Sequence, residues 1–442
     1  MTTSALYEID FDRYNKKLET AVVVRAEGRI SKIIGLVAEG DSLGLSVGSL
    51  CLIKGDYGKE IKAEVIGFKE NKALLMPYGD IRGISSGSRI IPMAGAPVVK
   101  VGDELLGRVI DGMENVIDGK PNPDLPYTYP LYGKPLNPME RKQISEPVDV
   151  GVKAINTFLT LGRGQRVCIM AGSGVGKSML MGMITKHTEA DVIVIGLIGE
   201  RGREVKDFVK DTLGEKGLKK SIVVAATSDT PPLVRMRGAY VATTIAEYFR
   251  DQNKNVLLLV DSITRFAMSS RDVGLAAGEP PTSKGYTPSF FVQIPVLLER
   301  AGYVENSGSI TGIYTVLVEG DDIHDPVGDT VRSIVDGHIV LSRELANKGH
   351  YPAIDILASI SRVMRDVTSK EHMELRDQAV DIIATYSNAE DMISIGAYVD
   401  GSDAKIDQAK KIMPGINRFL CQKIDTKCNL FKGVKDLKKV LS

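Results

Sequence analysis

The residues Ala171-Gly172-Ser173-Gly174-Val175-Gly176-Lys177-Ser178 form a stretch of the type A-x-x-x-x-G-K-S. They lie between a short apolar run, RVCIM, and a helix-forming one, KSMLMGMITKH, so the spacing predicts strand, glycine loop and a helix beginning near Lys177. Glycines 172, 174 and 176 let backbone N–H groups curl around phosphate, and the helix N-terminus adds positive partial charge. Lys177 is expected on the β- and γ-phosphates, with the Ser178 hydroxyl on Mg²⁺. Ala171 stands where such loops usually open with glycine, which an unstrained backbone tolerates.

Two carboxylates complete a site for phosphoryl transfer to water. Asp261 ends the apolar run NVLLLV, where a neighbouring strand tip can hold the water shell of Mg²⁺. Glu200 follows DVIVIGLI in the segment Gly199-Glu200-Arg201-Gly202-Arg203-Glu204 and is the expected polariser of the attacking water. Arg201 and Glu204 have two open readings: a γ-phosphate contact and a metal contact, or a surface ion pair.

These residues need a scaffold, and three styles of sequence supply one. Residues 22 to about 92 read as short strands with frequent glycine turns (VVVRAEGRI, KIIGLVAEG, GSLCLIKG, KAEVIGF, KALLMPYG), the pattern of a small β-barrel or sandwich. A Pro/Gly-rich connection from Asp111 to Pro138 reads as an ordered linker. From about residue 150, continuous apolar runs alternate with helical stretches, as in parallel strands covered on both faces of an α/β core. After about residue 366 the strands stop; RDVTSKEHMELRDQAVDIIATY, DAKIDQAKKI and GINRFLCQKI read as helices. The resulting expectation is an N-terminal segment over 1–20, a barrel over 21–92, an α/β core over 93–365 and a helical domain over 366–442.

Composition narrows the partners. Lys plus Arg and Asp plus Glu are 56 each, so no global attraction to nucleic acid or acidic membrane is indicated. The four cysteines and five histidines show no metal-ligand spacing, which argues against a disulfide scaffold or zinc site and for a reducing cytosol. The N-terminus lacks the apolar core of a signal peptide, and no run reaches the ~20 apolar residues of a membrane span, leaving at most peripheral membrane contact.

Taken together, AGSGVGKS, GERGREV, LLLVDSITRFAMSSRDVGLAAGEPPTSKGYTPSFF, VLVEGDDIHDPVGDTVRSIVDGHIVLSREL and GHYPAIDILASISRVM resemble the type III export ATPases, relatives of the catalytic subunit of rotary ATP synthases. The resemblance runs from about residue 22 to the end. It implies a barrel, a P-loop core of the RecA-like kind and a helical C-terminal domain, hydrolysing ATP with Mg²⁺ as a homohexameric ring. It further implies that Glu200 activates water, that Arg201 stands beside the γ-phosphate, and that Tyr351 of GHYPAID packs on adenine. Arg362 of SISRVM resembles an arginine finger serving the neighbouring subunit's site. The stretches GSGVGKS, DVGVKAI and KGYTPS look more like flagellar than virulence members. The family implies a place in the cytoplasm, peripheral at the inner membrane. Its expected partners are a central stalk, an export gate, chaperone–cargo complexes and a stator-like regulatory protein.

Two segments stand outside that core. Tyr7, Phe11, Tyr14 and Leu18 form one apolar stripe on a helix, which either packs on the chain's own barrel or docks the stator-like protein. The C-terminal stretch is basic, with ten lysines and arginines from Lys405 to Lys439, and reads as a solvated face or as a contact for acidic lipid or export partners. Three competing functions share parts of this pattern. A rotary synthase subunit would carry an acidic run in the C-terminal helices, an RNA-translocating ring would show aromatics and a basic groove on the barrel, and a non-hydrolysing module would not need Glu200 with Lys177.

Overall fold

The computed structural model describes Phe11, Tyr14 and residues 26–318 and 325–442. The amphipathic stripe expected over residues 4–19 lies outside the described residues except for Phe11 and Tyr14, both exposed. Two compact units divide the chain, Met1–Ala96 and Pro97–Ser442.

The first unit is a closed antiparallel barrel of six strands: β1 (Gly28–Ile34), β2 (Val37–Asp41), β3 (Leu50–Lys54), β4 (Glu60–Lys69), β5 (Lys72–Pro77) and β6 (Arg89–Pro92). They are ordered β1-β2-β5-β4-β3-β6, and β6 pairs back to β1. Alternation fills its interior: Ile61, Ala63 and Val65 of β4 point inward with Ile30, Ile53, Leu75 and Ile90, while Glu60 and Lys62 face out. Bulges at Ile30/Lys32 and Val65/Gly67 add the bend that closure needs. Gly40 sits where a Cβ would come 2.2 Å from Ile90 Cδ1, so the barrel's interior admits no side chain there.

The second unit is built on a nine-stranded sheet. Its main strands are β7 (Val109–Asp111), β8 (Arg166–Ala171), β9 (Val192–Ile198), β10 (Ser221–Ala226), β11 (Asn255–Asp261), β12 (Ser309–Leu317), β13 (Gly337–Leu341) and β14 (Ile354–Ser361). They run in the order β14-β13-β8-β12-β11-β9-β10-β7, with Gly302–Tyr303 pairing on β12. All neighbours along the path are parallel except β13 with β14. The central strands are buried along nearly their whole length because both faces are covered, which is why they read as unbroken apolar runs.

One face carries α4 (Pro232–Asp251), α5 (Ile263–Ala277) and α6 (Pro288–Leu298), whose Tyr240, Ile245, Phe249, Phe266 and Phe290 enter one core cluster. A buried ion pair ties this layer together: Arg300 donates to both carboxylate oxygens of Glu247, at 2.8 and 2.6 Å, and to the Leu131 carbonyl at 2.9 Å. The other face carries α2 (Lys177–His187) and α3 (Gly202–Asp207) together with the helices that follow the sheet, α7 (Lys370–Ser394), α8 (Ala404–Leu420) and α9 (Leu430–Leu441). These last three pack on α1 (Lys153–Phe158), with the Phe158 and Phe419 rings 6.4 Å apart edge to face. Hydrogen bonds stitch the same seam: His372 Nε2 to the Thr157 carbonyl at 2.8 Å, and Asn156 Nδ2 to the Cys428 carbonyl at 2.9 Å. The C-terminal helices therefore share the core of the sheet rather than enclosing one of their own.

Two local differences from the sequence expectation have plain causes. DAKIDQAKKI and the GINRFL of GINRFLCQKI belong to one helix, α8, which runs through Pro414 and ends at Leu420, leaving CQKI outside it. The proline removes one backbone N–H, but Ile416, Phe419 and Leu420 beyond it are buried against the core, and that packing keeps the helix continuous. The stretch from Asp111 to Pro138 is more than a linker: Tyr127–Pro130 pairs antiparallel with Val98–Val101, and Asp118 holds Arg108 at 2.9 Å beside β7.

Candidate functional site

At the carboxyl end of β8 the chain turns through the glycine loop into α2. Gly174 (φ +77°) and Gly176 (φ +103°) occupy the left-handed region that glycine tolerates. Ala171 is the last residue of β8, buried and without positive φ, so no glycine is required there. Val175 is buried and anchors the loop, while Gly172, Ser173, Gly174, Gly176, Lys177 and Ser178 line a cavity of about 970 Å³. Tyr351 lies against the loop: a Cβ on Gly176 would stand 3.3 Å from its Cε1.

Three strand ends converge on Lys177. Its Nζ is 2.5 Å from Asp261 Oδ1, at the tip of β11, and 3.3 Å from Glu200 Oε1, just past β9. Gly199 (φ +72°) makes the turn that brings Glu200 over the cavity; a Cβ there would collide with Arg265 at 2.8 Å. Burial pushes the Glu200 carboxyl above the usual carboxylate range; Lys177 opposes the rise, and the neighbouring Glu204 carboxyl adds to it. A carboxyl with raised proton affinity at the mouth of a phosphate loop is equipped to take a proton from water.

Arg201 and Glu204 also line the cavity, but at its open edge, with 82% and 52% of their side chains exposed and 3.8 Å between them. Arg362 is elsewhere. It follows β14, whose Ile354 pairs with Leu341 at the loop end of the sheet and whose Ser361 pairs with Gly337 at the other. Eight residues of strand span roughly 25 Å, so Arg362 is far from the Lys177 of its own chain.

The structure adds residues that the sequence reading left without roles. Arg265, in the first turn of α5, lines the cavity with its buried Nε free of any hydrogen-bond partner among the described residues. Its position four residues beyond Asp261, on the helix that leaves the site, is the signal that could have found it. Arg343 donates to the Ser173 carbonyl at 3.2 Å, and Thr315 donates to Asp261 Oδ1 at 2.6 Å. Among the described residues no helix is long and apolar enough to cross a membrane, and no group of three or more His, Cys, Asp or Glu is placed to hold a metal by itself.

Known proteins share this arrangement. Residues 151–361 match the nucleotide-binding domain of the ATP synthase alpha/beta family, and residues 30–93 match that family's beta-barrel domain. Residues 368–439 match the C-terminal domain of the type III secretion ATPase EscN. The flagellum-specific ATP synthase of Bacillus subtilis is 52% identical over 412 residues, 93% of this chain and 94% of its own length. The assembled ATPase EscN of enteropathogenic E. coli superposes with a TM-score of 0.88 at 45% identity, over 94% of this chain and all of that one. EscN in complex with its central stalk EscO gives 0.86 at the same identity and coverage. The C-terminal match separates the chain from the rotary synthase subunits that share its first two domains. The chain is thus an ATPase of the ATP synthase alpha/beta family and belongs to the branch formed by the flagellum-specific and type III secretion ATPases.

Proposed function

We propose that the chain drives export of flagellar proteins as one subunit of a homohexameric ring that hydrolyses ATP with Mg²⁺. The observation that carries this reading is the convergence of Lys177, Asp261 and Glu200 within one hydrogen-bonded cluster beneath the glycine loop. Lys177 turns from the carboxylates to the β- and γ-phosphates, and the loop N–H groups hold the remaining phosphate oxygens. The Ser178 hydroxyl and the Asp261 carboxylate are hard oxygen donors, and a cation that keeps waters and phosphate ligands needs few others from the protein. Mg²⁺ held there would neutralise charge on the phosphates. Glu200 accepts the proton of the attacking water, and Arg201 at the cavity's edge neutralises the γ-phosphate. Glu204 enters through its pairing with Arg201 and its influence on Glu200. Tyr351, against Gly176, seats the adenine.

Arg362 completes the site of a neighbouring copy, which its distance from its own glycine loop favours. Flagellar export is preferred to virulence secretion because the relatives from Bacillus subtilis, Pseudomonas aeruginosa and Salmonella typhimurium, 52%, 50% and 47% identical, are all flagellum-specific. The complex of EscN with EscO supports a central stalk as partner. Action in the cytoplasm at the membrane face, with the export gate, chaperone–cargo complexes and a stator-like protein, completes the reading. Phosphate release from MgATP, followed with rising protein concentration, tests it: specific activity should climb cooperatively together with a sixfold mass, and Glu200→Gln should bind nucleotide while losing about 10²-fold or more in turnover. Full activity in a dilute monomer would sink the ring, and a Glu200→Gln rate close to the parent's would sink the assignment of the base.

A further inference from the structure

We propose that Thr315 is a positioning residue for Asp261, holding its carboxylate in one orientation for the metal. The register makes the pair. Val260 of β11 lies beside Tyr314 of β12, so the next residues along the two parallel strands, Asp261 and Thr315, are brought side by side. Thr315 is fully buried and Asp261 is 4% exposed, so neither can exchange its partner for bulk water. The Thr315 hydroxyl donates to Asp261 Oδ1 at 2.6 Å, the same oxygen that Lys177 meets.

A carboxylate at a strand tip rotates readily about its last torsion, and its two oxygens are equivalent until something distinguishes them. A β-branched threonine in a buried strand has few orientations of its own. Its hydroxyl thus holds Oδ1 whichever way Lys177 points, so the carboxylate keeps one orientation at the strand tip when the lysine leaves. The inference rests on the reading of Asp261 as the group that holds Mg²⁺ or its water shell. Removing a partner that orients a metal-holding group costs roughly 10- to 100-fold in metal affinity.

The test is equilibrium binding of a fluorescent ADP analogue to the full chain, in EDTA and across a Mg²⁺ titration. Thr315→Val keeps the shape and deletes the donor; Thr315→Ser keeps the donor. The valine variant should bind like the parent in EDTA but need roughly 10- to 100-fold more Mg²⁺ to reach half of the metal-dependent tightening. The serine variant should titrate near the parent. A Thr315→Val titration that overlays the parent overturns the proposal, and so does loss of binding in EDTA, which would mark a general packing role. Should the valine variant fail to fold, Thr315→Ala carries the same comparison. Asp261→Asn separates the two layers: an unshifted Asp261→Asn titration refutes the metal reading itself, whereas a shifted one beside an unshifted Thr315→Val refutes only the role of Thr315.

Discussion

The backbone N–H of Arg362 donates to the carbonyl of Asp336 at 2.9 Å, which fixes this exposed arginine at the end of the sheet opposite the glycine loop. If it serves a neighbour, sites and fingers can be separated genetically. Arg362→Ala and Glu200→Gln should each lower turnover, the first by about 10³-fold or more and the second by about 10² to 10⁴. Mixed in one assembly, they should regain activity, because sites that join Glu200 of one copy with Arg362 of another are intact. A mixture no faster than its components, measured by phosphate release, contradicts the arrangement.

Glu200 predicts the acid side of the pH profile. Only its ionised form accepts a proton, and burial holds its proton affinity above the ordinary carboxylate range while Lys177 draws it down. When Lys177 turns to phosphate that restraint weakens, and the affinity for the proton rises further. The rate at saturating MgATP should therefore fall on acidification at a pH above the usual glutamate value of about 4.3. It should recover as pH is raised through that limb. A rate that stays level down to pH 4.3 contradicts the role; kcat followed across pH in a protein shown to stay folded is the measurement.

The Arg300–Glu247 pair predicts a stability effect away from the chemistry. Arg300 has no exposed side-chain surface and Glu247 only 9%, so truncating the arginine leaves a carboxylate buried without its partner. Arg300→Met should cost about 3–5 kcal/mol in urea unfolding of the sheet unit, and the double variant with Glu247→Leu should recover a large part of it. Equal losses in the single and double variants would show that the packing, and not the uncompensated charge, dominates.

Much of the site was legible because its parts end contiguous apolar runs. Asp261 and Glu200 each follow a strand whose burial on both faces gives an unbroken hydrophobic signal, and the glycine loop is local in sequence. The relations between these parts were not legible. That Lys177 bridges Asp261 and Glu200, or that Thr315 reaches Asp261, follows from the register of strands far apart along the chain. Strand β7 was missed because it is three residues long and lies at the sheet edge, and β13 and β14 because their burial is interrupted by partly or fully exposed positions and gives no unbroken apolar run. The barrel was readable from its glycine turns, but its closure depends on β1 meeting β6, which no local pattern encodes. Helices α7 and α8 were readable as helices and α9 was not singled out, whereas the burial of all three against α1 depends on contacts such as Phe158 with Phe419.

The lysine cluster has a consequence for which form of nucleotide the site prefers. With Lys177 held by two carboxylates, the resting site already carries its own counter-ion, one cation set against two acids. Bare ATP must pull the lysine away and leave Asp261 and Glu200 facing each other with less positive charge between them. With Asp261 as the proposed carboxylate for the metal, MgATP would bring a replacement for the departing lysine. Binding would then be a cation exchange at Asp261, and the empty site would discriminate against nucleotide that arrives without its metal.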